Sequence, residues 1–354
     1  MPGPCLGAHD VASGRRQGGP YEEASVPALG ALRRLAMAPS LDEVSFAGRG
    51  FTVEPNARTR KLEAVPQAVV TGFEWGIEDR DLATTERRLS LVDPEVQGFA
   101  YEGATMACAI RDTMGPGRGH RTRDLLQGGG KRHIFLNYIG IGFAMAKLPR
   151  PLWKKLVPDL NEPEYYPAMS WLCVDGYGFD RAYFDTERWV GGQRLDTPYL
   201  WDGDADYFQR AFDQGVGRAL WFIHGGHVAH VSAAVRAFAA QRQGDLWSGV
   251  GLAATFAGGT TAADRAALRD EAGEDRDHLA QGSVFATKAR HHAGFVPEHS
   301  RAAAEAFTGL GVEAVARLAD DTAANAPEAG VGPAYEVWRR NVRAQLHTSA
   351  ATLV

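Results

Sequence analysis

The chain has 354 residues, 45% of them hydrophobic and 23% charged, with a formal net charge of −5 and a pI near 6.1. It is long enough for a large core or one continuous repeat array, and its mildly acidic balance excludes a general attraction to nucleic acid or anionic lipid. Three scattered cysteines, Cys5, Cys108 and Cys173, have no C-x-x-C spacing and argue against a disulfide framework or a thiolate zinc site, so the expectation is a cytoplasmic protein without cofactor or metal.

Residues 1–25 are rich in Gly, Pro and Arg, lack the apolar core of a signal peptide, and read as a disordered tail. Residues 26–60 read as an N-terminal cap, in which Ser45–Val53 (SFAGRGFTV) is expected to be a short strand or extended segment. From 61 to 325 the text is helical and self-similar. A glycine followed by small residues recurs at Gly76, Gly103, Gly140, Gly176, Gly215, Gly249 and Gly282, with spacings of 27, 37, 36, 39, 34 and 33 residues. Alanine stands four residues later in five units, at Ala107, Ala144, Ala219, Ala253 and Ala286. Positions i and i+4 share a helix face, so each unit carries a small-residue stripe that admits a close neighbour.

Second helices are expected between these, most clearly at His227–Gln241 and Thr261–Ala272, with breakers at Gly258-Gly259, Gly273 and Gly294. The predicted fold is therefore all-α, a solenoid of two-helix, tetratricopeptide-like units of roughly 35 residues, with a closed α/α toroid as the alternative. Residues 326–354 read as a C-terminal capping helix, over Gly332–Leu346, and a tail. The longest apolar run, His133–Ala146, ends at Lys147 and Pro149 and is too short to span a bilayer. The basic run Arg118–Arg123 reads as a solvated loop.

The residue before each glycine defines an inner ladder of Glu102, Asp175, Gln214, Ser248 and Gln281, with Trp75 and Ile139 as apolar rungs. Such side chains either tie backbone and cap helices or face a ligand groove, because buried polar groups need partners. Glu102, Asp175, Asp213, Gln214 and Gln281 are the candidates for proton transfer or polar orientation. Asp213 and Arg218 are five apart, so each must reach a different neighbour, and Arg218 is either an inter-repeat ion pair or an anion anchor. Tyr101, Tyr177, Trp171, Trp221 and Trp247 offer aromatic walls for an extended apolar ligand or ordinary core. His224, His227 and His230 have no acidic partner at a metal-site spacing. Gly128–Lys131 lacks the features of a phosphate loop, and Asp320–Asn325 is half of an acidic cyclase motif at most, better read as a helix end.

The segments Arg49–Phe51, Gly98–Ala104, Asp175–Phe179, Phe212–Phe222, Asp245–Ala253 and Leu279–Ala286, taken in order from about residue 40 to 325, resemble a bacterial family of unknown function found among enediyne biosynthesis proteins, the UnbL-like accessory group. The resemblance implies a part in maturing a polyketide-derived polyene into an enediyne core. It implies partners such as an iterative polyketide synthase, its thioesterase and accessory proteins, one of them membrane-integral. It supplies no catalytic residues, and the histidine triplet has no counterpart in it. Two expectations follow: a polyene-binding or polyene-processing accessory protein, or a non-catalytic helical scaffold for other proteins.

Overall fold

The computed structural model describes residues 26–115, 119–160 and 168–352. The predicted tail 1–25, with Cys5, and Arg118 of the basic run lie outside them. The described residues form sixteen α-helices and no strand. In chain order these are α1 (Val26–Met37), α2 (Leu41–Val44), α3 (Ala57–Glu78), α4 (Leu82–Ser90), α5 (Pro94–Met114), α6 (Arg121–Gln127), α7 (Ile134–Lys147) and α8 (Trp171–Phe184). They continue as α9 (Phe208–Ile223), α10 (Val228–Ala237), α11 (Ala240–Phe256), α12 (Ala262–Ala272), α13 (Arg276–His292), α14 (Glu298–Thr308), α15 (Val312–Asp321) and α16 (Ala334–Thr352).

Local chemistry sets many boundaries. Asn56 and Thr261 close reciprocal capping boxes at the starts of α3 and α12, and Asp93 caps α5 ahead of Pro94. The chain leaves α11 through Gly258 and Gly259, both at positive φ (75° and 87°), a conformation that Cβ-bearing residues rarely adopt.

The seven glycine-bearing helices, α3, α5, α7, α8, α9, α11 and α13, lie side by side in chain order. Contacts between neighbours advance together along both helices, Gly72 to Ala100 and Gly76 to Ala107 on α3 and α5, Asp175 to Gly215 and Phe179 to Phe222 on α8 and α9, so adjacent helices run parallel. The expected small-residue stripe is the reason they fit. A Cβ on Gly215 would overlap the Asp175 carbonyl oxygen of α8, and one on Gly249 the Gln214 carbonyl of α9. A second glycine two residues on, at Gly142, Gly178, Gly217 and Gly251, meets the following helix in the same way. Gly103 meets the Val69 carbonyl as Gly140 meets that of Glu102 and Gly215 that of Asp175, so on α3 it is Gly72 that stands in the second-glycine position and Gly76 lies one turn beyond, which accounts for the short first spacing.

The regular two-helix unit is only partly realised. Helices α4, α6, α10 and α12 separate some members, whereas the described residues between α7 and α8 hold 3₁₀ turns, and those between α8 and α9 a π turn and loop. Ser45–Val53 is a turn with a short extended end, not a strand. Gly50 takes φ of 70° there, and the Phe51 N–H bonds back to the Phe46 carbonyl. The predicted helix His227–Gln241 divides at Phe238-Ala239, and Gln241 belongs to α11. Asp320 and Asp321 end α15, as expected of a helix end.

The array curls until its beginning meets its end. Arg290 of α13 donates to the Glu95 carbonyl of α5 at 2.7 Å, Phe99 meets Phe256 edge-on at 5.2 Å, and Arg58 of α3 pairs with Asp264 of α12 at 3.2 Å. One continuous core runs through nearly all of it.

Candidate functional site

The inner faces of α3, α5, α7, α8 and α9 enclose a cavity of about 480 Å³, within the range of small-molecule sites. Its walls have a sequence logic. Three residues after the recurrent glycine come Met106, Phe143, Phe179 and Arg218, one from each of four consecutive helices, and all four line the cavity. They stand one turn along from the ladder positions Glu102, Ile139, Asp175 and Gln214, on the same helix face. Phe73 of α3, Phe99 of α5 and Phe222 of α9 complete an apolar, aromatic wall. The exposed Leu35 and Met37 of α1 and the partly exposed Lys147 mark its mouth, where Lys147 lies 3.4 Å from Asp180 and 4.8 Å from the Phe184 ring.

Glu102 is the polar group in this apolar setting that stands without support. It is 2% exposed, lines the cavity, and has no hydrogen-bond partner among the described residues. Burial pushes its carboxyl up to about 8, with Arg218 opposing that rise and Asp175 adding to it. Arg218 is also buried. Its Nε donates to Asp175 Oδ1 at 2.6 Å and its guanidinium sits 4.9 Å over the Phe179 ring, while Nη2 has no partner. The inter-helix ion pair foreseen for Arg218 is therefore present, and it engages only Nε of a guanidinium that lines the cavity.

The other polar candidates are engaged in structure. Asp213 takes a fork of bonds from Arg242, at 2.6 and 2.8 Å, and a third from Gln209. Gln214 joins Tyr207, Asp245 and the Tyr335 hydroxyl. Gln281 accepts from Ser248 and from Arg339 Nε at 2.9 Å. Arg339, fully buried on α16, also reaches Tyr207, Asp245 and Glu336 at 2.6–2.8 Å. Arg210 and Arg343 add two more cations to the same two carboxylates. Burial would raise Glu336, yet the three guanidiniums and the Tyr207 hydroxyl hold it well below the usual carboxylate range. Thus α16 lies on the ladder of α9, α11 and α13, Phe285 packing on Tyr335 and Trp338, and the cavity occupies the part of the inner face that α16 leaves open.

The aromatic candidates lie elsewhere. Tyr101 stacks on His133 at 4.7 Å in a small outer cluster. Tyr177 packs among Trp153, Phe208 and Phe212. Trp221 donates to the Gly258 carbonyl, and Trp171 and Trp247 are buried in the core. His227 and His230 stack at 4.0 Å, and among the described residues no three His, Cys, Asp or Glu side chains are grouped to hold a metal. Cys108 and Cys173 are buried thiols. No helix of the described residues is long and apolar enough to cross a membrane.

The chain is a member of the family described as protein of unknown function DUF1702, whose profile matches residues 28–346. No curated protein and no solved structure matches it significantly.

Proposed function

We propose that the protein is an accessory factor of enediyne biosynthesis that holds a linear polyene intermediate in the inner cavity, and that its array, whose ends meet, is nearer the closed α/α toroid than an open solenoid. The observation that carries this reading is the cavity itself, aromatic and aliphatic in most of its lining, with one carboxyl raised by burial and the Arg218 guanidinium at its wall. Apolar walls of this kind suit a hydrocarbon chain, and a few polar groups fix its orientation. Holding a conjugated chain in one conformation also restrains its side reactions. The pathway assignment draws on the resemblance carried by the segments from Arg49 to Ala286.

Deleting the gene in its native host and profiling the culture by ultraviolet absorbance and mass spectrometry tests this directly. The reading predicts an accumulated conjugated polyene and loss of the mature product. An unchanged metabolite profile contradicts it. A scaffold role draws on a different observation. Leu32, Leu35 and Leu41, 60%, 83% and 54% exposed around α1 and α2, form an apolar rim to which a partner of the same pathway, including a membrane-integral one, could dock.

A further inference from the structure

We propose that Glu102 and Arg218 form a proton-transfer site that shifts a carbon–carbon double bond along an unsaturated carbonyl chain lying in the cavity. This rests on the cavity being a ligand site and goes beyond it, to a reaction and a substrate class.

The geometry assigns these two residues by elimination. The candidate carboxylates and amides Asp175, Asp213, Gln214 and Gln281 all have named partners, as do Asp245 of α11 and Glu336 of α16. A buried polar group without one is costly and calls for an explanation. Glu102 has no partner, is buried, and lies on the wall of an apolar cavity. The other ionisable groups around that cavity are occupied. Lys147 and Asp180 pair at the mouth, the Tyr183 hydroxyl donates to the Val44 carbonyl at 2.6 Å, and Glu43 closes a capping box with Ser40. Asp175 is bound by Arg218, whose Nη2 is the remaining buried donor.

The step balances without an oxidant or a cofactor. Ionised Glu102 removes a proton from the carbon between the carbonyl and the double bond. The electron pair of that C–H bond moves toward the carbonyl, giving a dienolate whose oxygen accepts a hydrogen bond from the Arg218 guanidinium, of which Nε alone is engaged. Protonated Glu102 then returns a proton to the far end of the original double bond. One C–H bond breaks, another forms, and the double bond moves into conjugation. A carboxyl raised to about 8 by burial is a better match to such a carbon acid than an ordinary carboxylate. The hydrogen bond to the oxygen stabilises charge that exists only along the reaction path.

The test uses the full chain, a long-chain β,γ-unsaturated methyl ketone as substrate, and cis-parinaric acid methyl ester as a fluorescent report of cavity binding. The wild type is expected to conjugate the ketone at least about 100-fold faster than buffer, with kcat/KM rising with pH through about 8. Glu102→Gln should abolish that acceleration and the pH dependence, and Glu102→Asp should retain a measurable part of the rate. If the ester binds and the wild type conjugates the ketone no faster than Glu102→Gln does, the proton-transfer proposal is overturned while the cavity reading stands. If neither the ester nor the ketone binds, the cavity reading falls with it.

Discussion

Glu102 shows how much a single residue's surroundings decide. Its carboxyl is raised well above its unfolded value because burial disfavours the charged form. In the unfolded chain it ionises near 4.5, so between there and about 8 the unfolded state releases a proton that the folded state keeps. Stability from this group is therefore complete below about 4.5 and declines as pH rises toward 8. From pH 6 to 8 the loss is about 2–3 kcal/mol, at about 1.4 kcal/mol per pH unit. Urea denaturation at both pH values should show the wild type losing about 2–3 kcal/mol relative to Glu102→Gln from pH 6 to 8, since the buried His133, His224 and His278, held below the usual imidazole range by burial, contribute equally to both proteins. The ladder position of Glu102 was legible in the sequence because it precedes a recurrent glycine. That it alone lacks a partner was not, since Asp213, Gln214 and Gln281 find theirs on Arg242, Tyr335 and Arg339, far away along the chain.

At the scale of the helix, the recurrent glycines were the readable signal, and their i+4 alanines announced close packing. The second glycine went unread because it serves the next helix rather than the previous one, a distinction that only neighbours in space reveal. The regular partner helices were over-read, since α7, α8 and α9 are joined without a full second helix among the described residues. The packing role has a measurable cost. Glycine to alanine inside a helix ordinarily favours helix formation by up to about 1 kcal/mol. At Gly215 the added methyl meets the backbone carbonyl of Asp175, which cannot rotate away. Gly215→Ala should therefore destabilise the protein by about 1–3 kcal/mol in chemical denaturation. Gly191→Ala, where nothing lies within 4 Å, should change it by less than about 0.5 kcal/mol.

The whole molecule is a curved row of parallel helices whose hollow is shared between α16 and the cavity. Fold class was legible because helical periodicity is local. The hollow was not, because its walls are set by where α1 and α16 land, and no period in the sequence records that. The positions three after each glycine, Met106, Phe143, Phe179 and Arg218, carry the one retrospective signal, a mostly apolar file on the ladder's own face. The expected aromatic rings Tyr101, Tyr177, Trp221 and Trp247 pack in the core rather than on the wall of this cavity. The most direct test of the account is fluorescence titration of the purified protein with cis-parinaric acid methyl ester, repeated on Val69→Trp, which places a bulky ring in the cavity from the partly buried wall of α3. The account predicts saturable binding by the wild type and at least a tenfold weaker Kd for the variant, about 1.4 kcal/mol. Equal binding by the two proteins would contradict it.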